Sequence, residues 1–184
     1  MNFFSGIDVS AFILLNSLSG RSPLLDTFIV FTAESLTYIL PTIFIVLLYL
    51  ATHSYRDKIH MAGTVFFSGF FVQSGITEFI RLFFHRLRPY LVYDIDPLFY
   101  EDSFSFPSAH SAFFFAFAFA IYLYNKKWGV WFLSATTLMT IARIISGVHY
   151  PSDIIAGMLV GLAVAYLTFK YLGPTFKKIA YRFV

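Results

Sequence analysis

Five long apolar runs leave this chain little freedom to be anything other than a membrane protein. They are Leu36–Thr52, extended backwards by LLDTFIVFTAES, then Ile59–Phe84, Ser108–Tyr124, Gly129–Gly147 and Ser152–Leu172. A spanning helix needs about 20 mostly apolar residues, and each run approaches or exceeds that length. Composition agrees: 58% of residues are hydrophobic and 12% charged, where a soluble domain carries about 25% charged residues. No long polar stretch leaves room for a soluble domain, so residues 1–184 are read as a single membrane-embedded, all-α domain with five spans. Ahead of them, Ile7–Leu18 forms a short helix, too short to span upright and closed by the turn SGRSP. It is expected to lie in the interface or enter partway. Pro41 is expected to kink the first span, because it removes a helix hydrogen bond.

Charge and special residues narrow the class further. A net charge of +3 is too small to argue for nucleic acid. The absence of cysteine excludes disulfides and thiolate metal sites. The beginning MNFFSGIDVS lacks a basic region and a cleavage site, so no signal peptide is expected. Basic residues cluster after the first span (Arg56, Lys58), after the third (Lys126, Lys127) and at the chain end (Lys170, Lys177, Lys178, Arg182). With five spans these fall on one side, which the positive-inside rule makes cytoplasmic. The region from His85 to Pro107 and the turn Val148–Pro151 then face outside. In the fifth span, Gly157 and Gly161 form GxxxG, continued by Ala165, read as a close intramolecular helix contact.

The outward ends hold polar residues that a lipid-facing chain does not need. Arg81 and Arg88 lie seven apart and share a face if the helix continues as far as Pro89; Glu78 is placed to pair with Arg81. Ser108 sits where a helix N-cap belongs, with Ala109 and His110 in the first turn. A helix N-terminus of this kind suits a phosphate. Arg143 lies near the end of the fourth span, Gly147 closes it, His149 follows in the turn, and Asp153 opens the next helix. Each arginine in a span costs roughly 2.5–3.5 kcal/mol on insertion scales. Arg81, Arg88 and Arg143 at one level therefore imply an anionic ligand, while Arg86 alone is read as snorkelling to the interface. The residue types fit chemistry on a phosphate ester or anhydride. Arginine forks neutralise nonbridging oxygens. A histidine oriented by a carboxylate, His149 with Asp153, attacks phosphorus. A second, protonated histidine, His110, supplies a proton to the leaving oxygen. No metal or other cofactor is required.

At these residues the chain resembles the type 2 phosphatidic acid phosphatase family, also called the lipid phosphatase and haloperoxidase superfamily. The family motifs K-x6-R-P, P-S-G-H and S-R-x5-H-x3-D appear here as Arg81-x6-Arg88-Pro89, Pro107-Ser108-Ala109-His110 and Ala142-Arg143-x5-His149-x3-Asp153. The resemblance implies a six-helix core, a phosphohistidine on His149 oriented by Asp153, and His110 as acid. It also implies phosphate binding by Arg81, Arg88, Ser108, Ala109 and Arg143, at a metal-independent site on the outer leaflet of the plasma membrane. Arg81, Ala109 and Ala142 depart from the pattern, which bears on substrate fit and rate. The stretches LNSLSGRSPLLDTFIVFTAES and SGVHYPSDIIAG are similar to bacterial undecaprenyl-diphosphatases of the bacitracin-resistance type. That likeness implies a polyprenyl diphosphate as substrate; phosphatidylglycerophosphate, phosphatidic acid and lipid A 1-phosphate are alternatives. A non-catalytic head-group binder or flippase-like protein on the same scaffold is the alternative of another class. The acidic residues Asp94, Asp96, Glu101 and Asp102 are read as a solvated cap, or else a lid. Glu34 either points at the site or makes a helix-packing hydrogen bond. The membrane lipid and the bilayer are the expected partners.

Overall fold

The computed structural model describes residues 6–183, all of whose regular elements are helical. The stretch read against a signal peptide begins in residues 1–5, which lie outside them. We label the helices α1 (Ile7–Asn16), α2 (Pro23–Leu50), α3 (Tyr55–Arg81), α4 (Pro89–Val92), α5 (Ala109–Tyr124), α6 (Lys126–Ile145) and α7 (Pro151–Arg182). Their starts are dictated locally. Ser22, Ser54, Ser108 and Asn125 each cap the helix that follows, with a side-chain oxygen accepting a first-turn N–H.

Four helices, α2, α3, α6 and α7, are long and apolar enough to cross a membrane. The fifth expected span, α5, has 16 residues, which rise about 24 Å against a hydrocarbon core of about 30 Å. It packs against α3, α6 and α7, and ten of its sixteen residues are buried. Protein, rather than lipid, surrounds most of it. Phe113, Phe114 and Phe117 join Phe44, Phe66 and Phe132 in an aromatic core. The Phe-rich run is thus largely core.

The glycine pair is an intramolecular contact. A Cβ on Gly157 would come 2.6 Å from the Ser108 carbonyl oxygen. One on Gly161 would overlap the Ala112 carbonyl and come 3.0 Å from the Ala116 nitrogen. The absent side chains let α7 lie directly on α5.

Two helix boundaries differ from the sequence-based expectation. α3 ends at Arg81, and residues 84–88 run without helical structure. Arg81 and Arg88 therefore do not share a helix. Pro89 disfavours helical backbone at the residue before it, so Arg88 is extended (φ −71°, ψ 154°), and Pro89 opens α4 rather than closing α3. At the other end, α7 continues past Leu172 to Arg182 through a π segment at Thr168–Leu172. Pro41 is accommodated inside α2.

The basic connections gather at one end. Lys58 donates to the Tyr49 carbonyl, Tyr181 to Asp57, and Tyr124 contacts His60. The motif residues gather at the other.

Candidate active site

Three pieces of local structure bring the motifs together. The end of α6 is a Schellman turn. Gly147 adopts φ 86°, its N–H bonds to the Ile144 carbonyl, and the Val148 N–H bonds to the Arg143 carbonyl. The chain thus reverses immediately after Arg143 and delivers His149 beside it. Pro151 then opens α7 with Asp153 in its first turn, where Oδ2 accepts the Tyr150 N–H at 2.8 Å. Finally, α7 is stitched to the start of α5. Ser108 N–H donates to the Asp153 carbonyl at 3.1 Å, and Ser111 Oγ to the Ile154 carbonyl at 2.7 Å.

All three motif arginines are buried. Arg88 donates to the Val148 carbonyl at 2.9 Å and the Ser103 carbonyl at 2.7 Å, and its Nη1 lies 3.2 Å from His149 Nε2. Burial and the nearby Arg81 lower its pKa to about 10, which leaves it charged at neutral pH. Arg143 donates to the Ala33 carbonyl at 3.2 Å. That carbonyl belongs to a π segment of α2, Phe31–Ser35, where the ordinary helical bonding is interrupted. Glu34, next in that segment, is exposed. Arg81 pairs with Glu78 at 2.8 Å, as the spacing predicts, and donates to the Pro107 carbonyl at 3.2 Å. The Nε atoms of Arg81 and Arg143 are buried without a hydrogen-bond partner, so these guanidinium groups retain unused donors.

The orientation of His149 follows from donor logic. A guanidinium can only donate, so Nε2 beside Arg88 is the unprotonated nitrogen and Nδ1 carries the hydrogen. Nδ1 faces Asp153 Oδ2 at 3.5 Å and Ser105 Oγ at 3.4 Å. Burial first, then Arg88 and Arg143, hold the pKa of His149 well below its usual range. The ring is neutral with a lone pair aimed at the arginines. His110 is partly exposed, with Nδ1 3.7 Å from Glu101. Ser108 is fully buried and its Oγ accepts the Ser111 N–H at 3.4 Å. Ala109, at the start of α5, lines the cavity.

Four residues that sequence reasoning left out or placed elsewhere belong to this cluster. Glu101 is the first. Its neighbours Asp94, Asp96 and Asp102 are solvent-exposed, as a cap would be. Glu101 instead turns inward, 2.6 Å from Arg88, in contact with Arg143, and 3.8 Å from His149 Nε2. Its carboxylate sits where the Arg88 and Arg143 guanidinium groups converge. Ser105 is the second, donating to Asp153 Oδ2 at 2.5 Å. Arg86 is the third: it does not snorkel but binds Asp153 Oδ1 at 2.8 Å. The available signal was Pro89. It forces the preceding chain towards extended backbone, where residues two apart face the same way, so Arg86 follows Arg88 inward. Asp8, 2.7 Å from Arg86, is the fourth; its distance in sequence gave no signal.

Beside these groups lies a cavity of about 540 Å³, whose lining includes Gln73, Ser74, Arg81, Glu101, His110 and His149. Gln73 and Ser74 come from the π segment Val72–Thr77 of α3. The cavity thus opens, at one end of the helical bundle, beside buried arginines and the His149 ring.

Residues 58–177 match the PAP2 superfamily, and the chain belongs to that family of membrane phosphatases. It is 30% identical over 168 residues to the bacitracin transport permease protein BcrC of Bacillus licheniformis, spanning 90% of this chain and 81% of that one. It is 26% identical to the undecaprenyl-diphosphatase BcrC of Bacillus subtilis over 85% of this chain and 80% of that one. The lipid A 4'-phosphatase of Porphyromonas gingivalis is 26% identical over 92% of this chain and 75% of its own length. Among solved structures, LpxE of Aquifex aeolicus superposes with a TM-score of 0.72 at 25% identity, covering 91% of this chain and 97% of that one.

Proposed function

We propose that the protein removes the terminal phosphate from a polyprenyl diphosphate, of which undecaprenyl diphosphate is the chemical type, through a phosphohistidine on His149. The observation that carries this reading is the position of His149 Nε2, 3.2 Å from Arg88, at the point where Arg88 and Arg143 converge on one carboxylate, that of Glu101. Arg81, Arg88 and Arg143 neutralise the nonbridging oxygens, with Ser108 and the Ala109 backbone at the α5 N-terminus beside them. Nε2 attacks phosphorus as the bridging P–O bond breaks. His110 gives its proton to the departing polyprenyl phosphate, then takes one from the water that attacks phosphorus as the P–N bond breaks, so that phosphate leaves and Nε2 is free again. Asp153 holds the Nδ1 hydrogen throughout. The arginines carry the positive charge that this chemistry needs, so no metal is assigned. The two BcrC relatives support a diphosphate carrier lipid as substrate.

In this reading residues 1–184 form one domain of a bacterial plasma-membrane protein. α5 counts as the fifth span, the basic end is cytoplasmic and the site faces outward. The match to a lipid A 4'-phosphatase over 92% of the chain favours a lipid A phosphate as the second reading.

The deciding experiment is phosphate release by the purified full-length protein in detergent. The panel is undecaprenyl diphosphate, phosphatidylglycerophosphate, phosphatidic acid and lipid A. Undecaprenyl diphosphate is expected to give the highest kcat/KM, and His149→Ala to release nothing from any of them. Higher kcat/KM on another lipid overturns the substrate. No release by the parent protein overturns the enzyme and leaves the head-group binder.

A further inference from the structure

Arg86 stands between two carboxylates. Its Nη1 donates to Asp153 Oδ1 at 2.8 Å and to Ser152 Oγ at 2.7 Å, while Nη2 donates to Asp8 Oδ2 at 2.7 Å. Asp8 in turn accepts the Ser152 N–H at 2.9 Å and the Ser152 hydroxyl at 2.6 Å. The guanidinium carbon lies 3.7 Å over the Tyr150 ring. The cluster is well shielded: the Asp8, Arg86 and Asp153 side chains are 10%, 17% and 0% exposed. Asp8 belongs to the first turn of α1 and Asp153 to the first turn of α7.

We propose that Asp8 and Arg86 are positioning residues for the Asp153–His149 pair, which makes the N-terminal helix part of the active-site machinery. The reason lies in the geometry of the fork. An unopposed guanidinium grips a carboxylate through both oxygens. Asp153 cannot give up both. Its Oδ2 is taken by Ser105 Oγ at 2.5 Å and the Tyr150 N–H at 2.8 Å, and faces His149 Nδ1 at 3.5 Å. Asp8 engages the second arm of Arg86 and so restricts it to Oδ1. Oδ2 is left to Ser105, the Tyr150 N–H and the histidine. The charge of Asp8 is not needed merely to fasten α1, because Phe12 is buried against Tyr93 and Tyr150 and Asn16 donates to the Ile145 carbonyl at 2.8 Å.

This inference rests on Asp153 orienting His149, and its test separates the two. Asp8→Asn and Arg86→Gln, made singly and together in the full chain, are compared with the parent on undecaprenyl diphosphate. A small misplacement of a reacting group costs on the order of 10- to 100-fold, and kcat is expected to fall by that range in each single variant. KM and inhibition by inorganic phosphate should stay within about twofold, because the phosphate-holding arginines are untouched. The double variant should be no slower than Arg86→Gln alone, since the pair acts as one unit. Asp8→Glu, which keeps the charge, should recover part of the loss in Asp8→Asn. Unchanged kcat in Asp8→Asn, or losses in KM and phosphate affinity that match the loss in kcat, would overturn the proposal. A second measurement does not depend on turnover. In this cysteine-free chain, Asp8→Cys with Ser152→Cys should form a disulfide on mild oxidation, read by mass spectrometry. Its failure to form removes α1 from the site, whichever lipid the protein acts on. An inactive parent with an intact crosslink instead condemns the proposed reaction.

Discussion

Ring nitrogens that face opposite charges commit His149 to one tautomer, and the commitment has a measurable cost in acid. Burial and the arginines hold its pKa well below the ordinary 6.5. Below that value the unfolded chain binds a proton that the native ring refuses, so the native state loses stability as pH falls. The melting temperature of the parent, relative to His149→Asn, should therefore decline from roughly pH 7.5 to pH 5. Parallel melting curves across that window would mean that His149 is not held neutral. Glu101 supplies a second residue-level prediction. Its carboxylate lies against Arg88 and Arg143, so any phosphate arriving there must displace it. Hydrogen bonds to charged groups contribute about 1.5–3 kcal/mol. Glu101→Gln is accordingly expected to tighten inhibition by inorganic phosphate roughly tenfold. Equal or weaker inhibition would show that Glu101 does not compete for the anion position. The sequence exposed the arginines and histidines because charged residues in apolar runs are conspicuous. Glu101 was hidden among exposed acids, and Ser105 by the commonness of serine beside a turn.

Close contact between α5 and α7 fixes the distance between the second and third motifs. Ser108 and Asp153 meet backbone to backbone because Gly157 carries no side chain to hold them apart. Gly157→Ala places a methyl group 2.6 Å from the Ser108 carbonyl oxygen, and overpacking of this kind costs about 1–3 kcal/mol. Melting temperature and phosphate release should both fall in this variant, without a matching change in Ala156→Gly on the same helix. Full activity in Gly157→Ala would mean that the α5 N-terminus tolerates displacement. At this scale the helices, the Ser108 cap, the Gly147 stop and the GxxxG contact were all legible, because each follows from short-range rules. The break after Arg81 was not. The apolar run continues through Phe84, and only Pro89, six positions beyond the turn at Leu82–Phe83, signals that the backbone must extend. The docking of α1 was also invisible, since Asp8 and Ser152 are 144 positions apart.

The bundle has two chemically distinct ends, with basic connections at one and the arginine–histidine cluster at the other. Cysteine replacements at Tyr55, Asn125 and Asp94 in intact cells, probed with an impermeant thiol reagent, test which end faces out. Labelling at position 94 but not at 55 or 125 is expected; the reverse would invert the protein. Apolar lengths made the membrane class legible, but not the role of α5 as the inner member of the bundle. Burial depends on which helices surround it, and hydropathy is blind to neighbours. The shortness of α5 sets the depth at which chemistry takes place. Tyr124, at its far end, is tied to His60 and Thr64 near the basic face. From there a rise of about 24 Å stops some 6 Å short of the opposite edge of a 30 Å hydrocarbon layer. A lipid phosphate meeting the arginines would sit beneath the head-group plane of its neighbours, with its hydrocarbon chain never leaving the bilayer.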